Sequence, residues 1–169
     1  MGYSHLIKTR PAGGFLLITG VVMLNKEKYI GLQSSLKKRS ALLSCMGDYA
    51  CLFLCMCSIA DEFFSEIGSF AQVDIIEFAM KCRAKNLIDD EWTCLDQEKI
   101  LKEATGVDWV KKEVKSLPKP VPTEMYTVEK WFNARTGFTH FKRRWGDTFE
   151  NSVTVKEGKI IGYYTYTHS

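Results

Sequence analysis

Histidine is scarce in this sequence. There are three in 169 residues, and His5 and His168 lie at the ends, so His140 is the single interior imidazole. Any chemistry that needs a histidine inside a folded site has one residue to use. The six cysteines, at 45, 51, 55, 57, 82 and 94, include no Cys-x-x-Cys pair. Zinc ribbons and thioredoxin-type redox sites are built on that spacing, so no metal site and no cofactor is expected. Cys51, Cys55 and Cys57 share one apolar run that reads as a helix, where the backbones cannot shift to suit a bridge. The thiols therefore read as reduced, small core residues, which points to a reducing cytosol.

A surplus of charge of one sign is also lacking. With 23 Lys and Arg against 20 Asp and Glu, the net charge of +3 is too mild to argue for a nucleic-acid partner. The basic triplets Lys37-Lys38-Arg39 and Lys142-Arg143-Arg144 read as solvated faces. No apolar run approaches the roughly 20 residues that span a bilayer, so no stable membrane span is expected. The run Phe15 to Leu24 follows Lys8 and Arg10 in the order of a secretion signal, yet no small-x-small cleavage site follows it. Residues 1–25 are set apart as an N-terminal segment with three open readings: signal-like, upstream of a true start at Met23, or a buried element. Residues 26–169 read as one domain, cytoplasmic unless that segment directs secretion.

Proline is rare as well, and three of the four, Pro118, Pro120 and Pro122, form one extended connector. Before it the pattern is helical. Residues 26–44 read as a polar, basic helix. Cys51 to Ile67 is apolar nearly all round, as expected of a helix buried at the centre of a domain, and Gly68-Ser69 ends it. Val73 to Lys85 reads as a second helix stopped by Asn86. A third is capped by Asp96 and closed by Gly106. After the connector the period changes. Met125–Phe132, Phe138–Arg143, Ser152–Val155 and Lys159–Thr167 are rich in Val, Ile, Thr and aromatic residues and read as strands, the last two joined by a hairpin turn at Glu157-Gly158. Helices first and antiparallel strands afterwards indicate an α+β domain.

Cys51 follows the polar turn Met46-Gly47-Asp48-Tyr49-Ala50 and opens the buried helix. A helix start lowers a thiol's pKa through its unpaired N–H groups and dipole, and the same N–H groups can hold an oxyanion. Cys55 and Cys57 lie deeper in the helix and lack that setting. Taken alone, Cys51 is more often a core residue and His140 more often a hydrogen-bonded structural residue. Taken together they form the minimum equipment of cysteine-dependent acyl transfer, with the histidine as general base and then acid.

The segments Asp48-Tyr49-Ala50-Cys51-Leu52-Phe53, Gly137-Phe138-Thr139-His140-Phe141 and Trp145-Gly146-Asp147 resemble the papain-like cysteine peptidase superfamily. They are most similar to its compact branch of bacteriocin leader-processing peptidases and related phage- and plasmid-borne domains. The resemblance spans roughly Leu42 to Tyr166. It implies a papain-like fold in which N-terminal helices and a buried central helix pack on a C-terminal antiparallel sheet. It also implies thiol-dependent hydrolysis of an amide bond through a thioester, with Cys51 as nucleophile, His140 as base and Asp147 orienting the imidazole. The implied substrate is a peptide or a peptidoglycan stem.

The sequence departs from the pattern at three places. Ala50 stands where many relatives have glycine, and Thr148 where a proline follows the aspartate. No glutamine lies shortly before Cys51 to donate to an oxyanion; Gln33 is far upstream and contributes only if the fold returns it. A second reading is therefore a papain-like binding or accessory module with weak or no chemistry. The orienter is open too: a tight hairpin with Trp145-Gly146 at its tip would set Asn151, not Asp147, opposite His140. Arg135, Lys142, Arg143 and Arg144 suggest an acidic substrate. Tyr126, Trp131, Phe132, Trp145, Tyr163, Tyr164 and Tyr166 fit either sheet packing or a peptide groove.

Overall fold

A computed structural model describes residues 28–34, 46, 47, 49–149 and 152–169. The N-terminal apolar run, the triplet at 37–39, Cys45, Asp48 and Asn151 lie outside them, as does most of the helix read over 26–44. The described chain is an α+β fold. Helix α1 (Cys51–Glu66), α2 (Ile75–Ala84) and α3 (Gln97–Thr105) precede strands β1 (Trp109–Val114), β2 (Tyr126–Phe132) and β3 (Thr139–Arg143). Helix α4 (Val153–Glu157) and strand β4 (Lys159–His168) complete it. The four strands form one antiparallel sheet in the order β1-β4-β2-β3.

Helix α1 is central because it has almost no polar face. Phe53, Leu54, Cys55, Met56, Cys57, Ile59 and Ala60 are fully buried, and Phe63 nearly so. Burying each of the larger of these side chains stabilises the fold by about 1.5–3 kcal/mol relative to exposure. The end signals of α3 act as the sequence implies: Asp96 accepts from the Lys99 N–H, and Gly106 closes the helix in the left-handed region at φ 80°. For α2 the cap is Asp74, whose carboxylate accepts from the N–H groups of Ile76 and Glu77.

Several expectations about the secondary structure need correction. Ser152–Val155 is not a strand: the Ser152 side chain accepts from the Val155 N–H and starts α4, so local capping overrides the β preference of Val and Thr. The Glu157-Gly158 hairpin disappears with it. Gly158 instead packs where a Cβ would collide with the Thr154 and Phe132 carbonyl oxygens. Strand β1 has no counterpart in the sequence reading; it is an edge strand in which only Trp109 is buried.

The Lys142-Arg143-Arg144 triplet is not a solvated face throughout. Arg143 is buried and ties the sheet to α1. Its Nε donates to the Thr127 carbonyl at 2.9 Å, one terminal nitrogen donates to Ser58 Oγ at 3.0 Å, and the other pairs with Glu62. A buried carboxylate, Asp61, accepts from Lys28 Nζ at 3.0 Å, from the Tyr29 hydroxyl at 2.5 Å and from the Val73 N–H at 2.6 Å. It pins the described N-terminal stretch and the start of the α2 connection to the central helix.

Candidate active site

Cys51 is the first residue of α1. A helical turn precedes it, with the Ala50 N–H donating to the Met46 carbonyl at 3.1 Å, and Ala50 at φ −81° and ψ 18° takes the chain off the helical path. Met46 and Ala50 are buried, so the stretch read as a polar turn is partly core. No side chain caps α1 and no acidic residue sits in its first turn. Among the described residues, its leading N–H groups therefore lack the usual side-chain acceptor, and the positive end of the helix lies at Cys51.

The histidine arrives from the sheet. His140 is paired with Trp131 on β2 and is buried. After β3, the Gly146 N–H donates to the Arg143 carbonyl at 3.2 Å, which closes a four-residue turn. The reversal thus falls one residue earlier than a Trp145-Gly146 tip, and it brings Asp147 back beside the histidine. His140 Nε2 lies 2.6 Å from Asp147 Oδ1, which also accepts from the Phe149 N–H at 2.9 Å. Asn151, the alternative orienter, lies outside the described residues.

Burial by itself pushes the His140 pKa down. Hydrogen bonding to Asp147 and to the Cys51 thiol, with the negative charges of both partners, more than offsets it and raises the pKa to about 9. With Nε2 engaged by Asp147, Nδ1 is the ring nitrogen left for the sulfur. Asp147 is thus hydrogen-bonded to His140, and Cys51 is near enough to the imidazole to act on its pKa. Burial pushes Cys55, Cys57 and Cys94 well up, and Cys82 up to about 11. All five are free thiols. His168 packs against Phe63 and Trp109 at the other end of α1, about 18 Å of helix away from Cys51 by the rise per residue.

Cys51 opens on a cleft of about 620 Å³ whose walls include Tyr49, Trp92, Thr139, Phe141 and Tyr164. Of the seven aromatic residues weighed for a groove, only Tyr164 lines this cleft; Tyr126 and Tyr166 are core. The basic residues around the histidine strand do not line it either. Arg135 pairs with Glu157, Lys142 with Glu129 at 3.3 Å, and Arg143 with Glu62. Among the described residues, no lysine or arginine lines the cleft itself to meet an acidic substrate. Among the described residues, no group of His, Cys, Asp and Glu is placed to hold a metal ion.

Two features escape sequence reasoning. The fold does return Gln33 behind the site, where it is buried. Its backbone N–H donates to the Thr148 carbonyl at 2.8 Å, its Nε2 donates to the Gly47 carbonyl at 3.3 Å, and its Oε1 accepts from the Thr148 hydroxyl. Gln33 thus braces the turn before Cys51 against the loop that carries Asp147, with its amide engaged at both ends. The second is the wall formed by residues 89–94, where Trp92 has φ 63°. That region strains a bulky residue, and no residue type in this segment announces it. No family model matches the chain, and no curated protein or solved structure is similar to it.

Proposed function

We propose that this chain is a cysteine-dependent amide hydrolase on a papain-like fold, acting on a peptide or a peptidoglycan stem. The observation that supports it is the placement of one imidazole between the Cys51 thiol and the Asp147 carboxylate, at the start of an uncapped helix beside a cleft. In this reading His140 takes the thiol proton and the thiolate attacks the carbonyl carbon. The helix-start N–H groups hold the oxyanion, and His140 returns the proton to the leaving nitrogen as the C–N bond breaks. Water, deprotonated by His140, then releases the acid from the thioester. Asp147 holds the ring through Nε2 and stabilises the imidazolium.

The test is iodoacetamide labelling with peptide mapping on the wild type and on Cys51→Ala and His140→Ala. Fast labelling confined to Cys51, slowed at least tenfold without His140, supports an activated thiol. Equal labelling of Cys51 in both backgrounds, or undiminished labelling elsewhere after Cys51→Ala, overturns it. Peptide and muropeptide mixtures then report on the bond cleaved.

The engaged amide of Gln33 favours a second reading, a papain-like binding module with weak or no turnover. With Oε1 and one N–H of that amide engaged in bracing the loops, the second N–H is the one donor Gln33 has left, and the N–H groups of the helix start carry most of the work of holding an oxyanion. An activated Cys51 that acylates once with a thioester-forming substrate and does not turn over would support it.

A further inference from the structure

The wall opposite the sheet in the Cys51 cleft is a small closed loop built to hold its place. Ile88 and Cys94 form a β-bridge at its base, and the Asp89 carboxylate accepts from the Glu91 and Thr93 N–H groups at 2.9 and 2.8 Å. The Trp92 N–H donates to the Asp89 carbonyl at 3.2 Å. Its indole is buried against Phe53 of α1 at 6.0 Å, with the Arg83 guanidinium over it at 5.9 Å. Non-glycine residues in the left-handed region persist where surrounding contacts over-determine them, and such places concentrate at ligand-binding sites. The hydrogen bonds and the bridge that hold Trp92 in this region also hold its neighbour, Glu91, at the cleft.

Glu91 is exposed and, among the described residues, is the only carboxylate that lines the cleft, with no lysine or arginine lining it. The adjacent acids are engaged elsewhere: Asp89 within the loop, and Asp90 with Arg83. Glu91 has no ion-pair partner among the described residues. The ammoniums of Lys111 and Lys130 stand over the Tyr164 ring at 4.6 and 5.5 Å, and Lys130 is further paired with Glu113 at 3.0 Å. We infer that Glu91 determines specificity, and that the cleft takes a substrate carrying a positive charge, a basic side chain or a free amine, beside the bond presented to Cys51. This rests on the reading of Cys51 as the reacting thiol and names the chemistry of what reaches it.

Three alkylating probes of different charge test it on the full chain. Rates at Cys51 are measured by peptide mapping with 2-bromoethylammonium (cationic), iodoacetate (anionic) and iodoacetamide (neutral). The wild-type rate divided by the Glu91→Gln rate cancels each reagent's intrinsic reactivity, and normalising to iodoacetamide cancels any change in the thiol itself. One unpaired charge near a partly solvated cleft should favour the cation by roughly three- to tenfold and disfavour the anion comparably, less so at high salt. Glu91→Lys should reverse the preference, and Asp90→Asn, which removes an equal charge from a side chain that does not line the cleft and is paired with Arg83, should leave it unchanged. A cation-to-anion ratio unmoved by Glu91→Gln, or moved equally by Asp90→Asn, overturns the inference. Loss of the hydrolase reading would show separately, as Cys51 labelling indifferent to His140.

Discussion

Asp147→Asn is the sharpest test of how the site is held. Asparagine keeps the volume and keeps an oxygen that can accept from His140 Nε2 and from the Phe149 N–H, so the substitution removes the charge and little else. The carboxylate lies 2.6 Å from the ring nitrogen and its side chain is 20% exposed. Opposite charges about 4 Å apart interact by about 4 kcal/mol at an effective dielectric near 20. Retained hydrogen bonding and residual solvation reduce the net effect, and a neighbouring opposite charge typically shifts a pKa by about 1–3. The His140 pKa of about 9 should therefore fall by about that much in the variant. At about 1.4 kcal/mol per pH unit, this is roughly 1–4 kcal/mol of differential stability.

The sign follows from the direction of the shift. Because the folded-state pKa lies above the ordinary 6.5, the stabilisation is fully present below about pH 6.5 and is lost as the pH rises through 9. The deficit of Asp147→Asn should be largest at pH 6 and nearly gone at pH 9.5. Urea unfolding at the two pH values and an NMR titration of the His140 Cε1–H measure both quantities. A His140 pKa that moves by less than about 0.5, or a deficit that grows with pH, would refute this account of the raised imidazole.

Other substitutions probe the frame around the site. Arg143→Ala leaves Glu62 partly buried without its partner, so it should cost about 3–5 kcal/mol in urea unfolding, whereas Arg143→Met with Glu62→Gln should recover most of the loss. Gln33→Ala removes the brace between Gly47 and Thr148. It should destabilise by about 1–3 kcal/mol and slow Cys51 alkylation more than Asp61→Asn does, because only Gln33 touches the segments that carry both Cys51 and Asp147.

Much of the frame was legible in the sequence, because it rests on local signals. An apolar run without a polar face becomes the buried α1, Asp96 and Gly106 bound α3, and three of the four strands fall on their β-branched and aromatic segments. The errors arise where a weak local pattern competes with something else. Ser152 caps a short helix out of a Val-Thr segment, and β1 exists because β4, far along the chain, supplies its hydrogen bonds. Arg143 looks like one member of a basic triplet, and only the packing of β3 on α1 turns it inward.

The sequence by itself determined which groups are available for chemistry: one interior imidazole, and one cysteine at a helix start while its neighbours lie deeper. Tertiary structure alone decided that Asp147 meets that imidazole, since the contact is made by a side chain after the turn and not by the register of a hairpin. It also decided what stands across the cleft. Loop closure and burial over-determine Trp92, and through it Glu91, and neither residue type carries that placement in its own preferences.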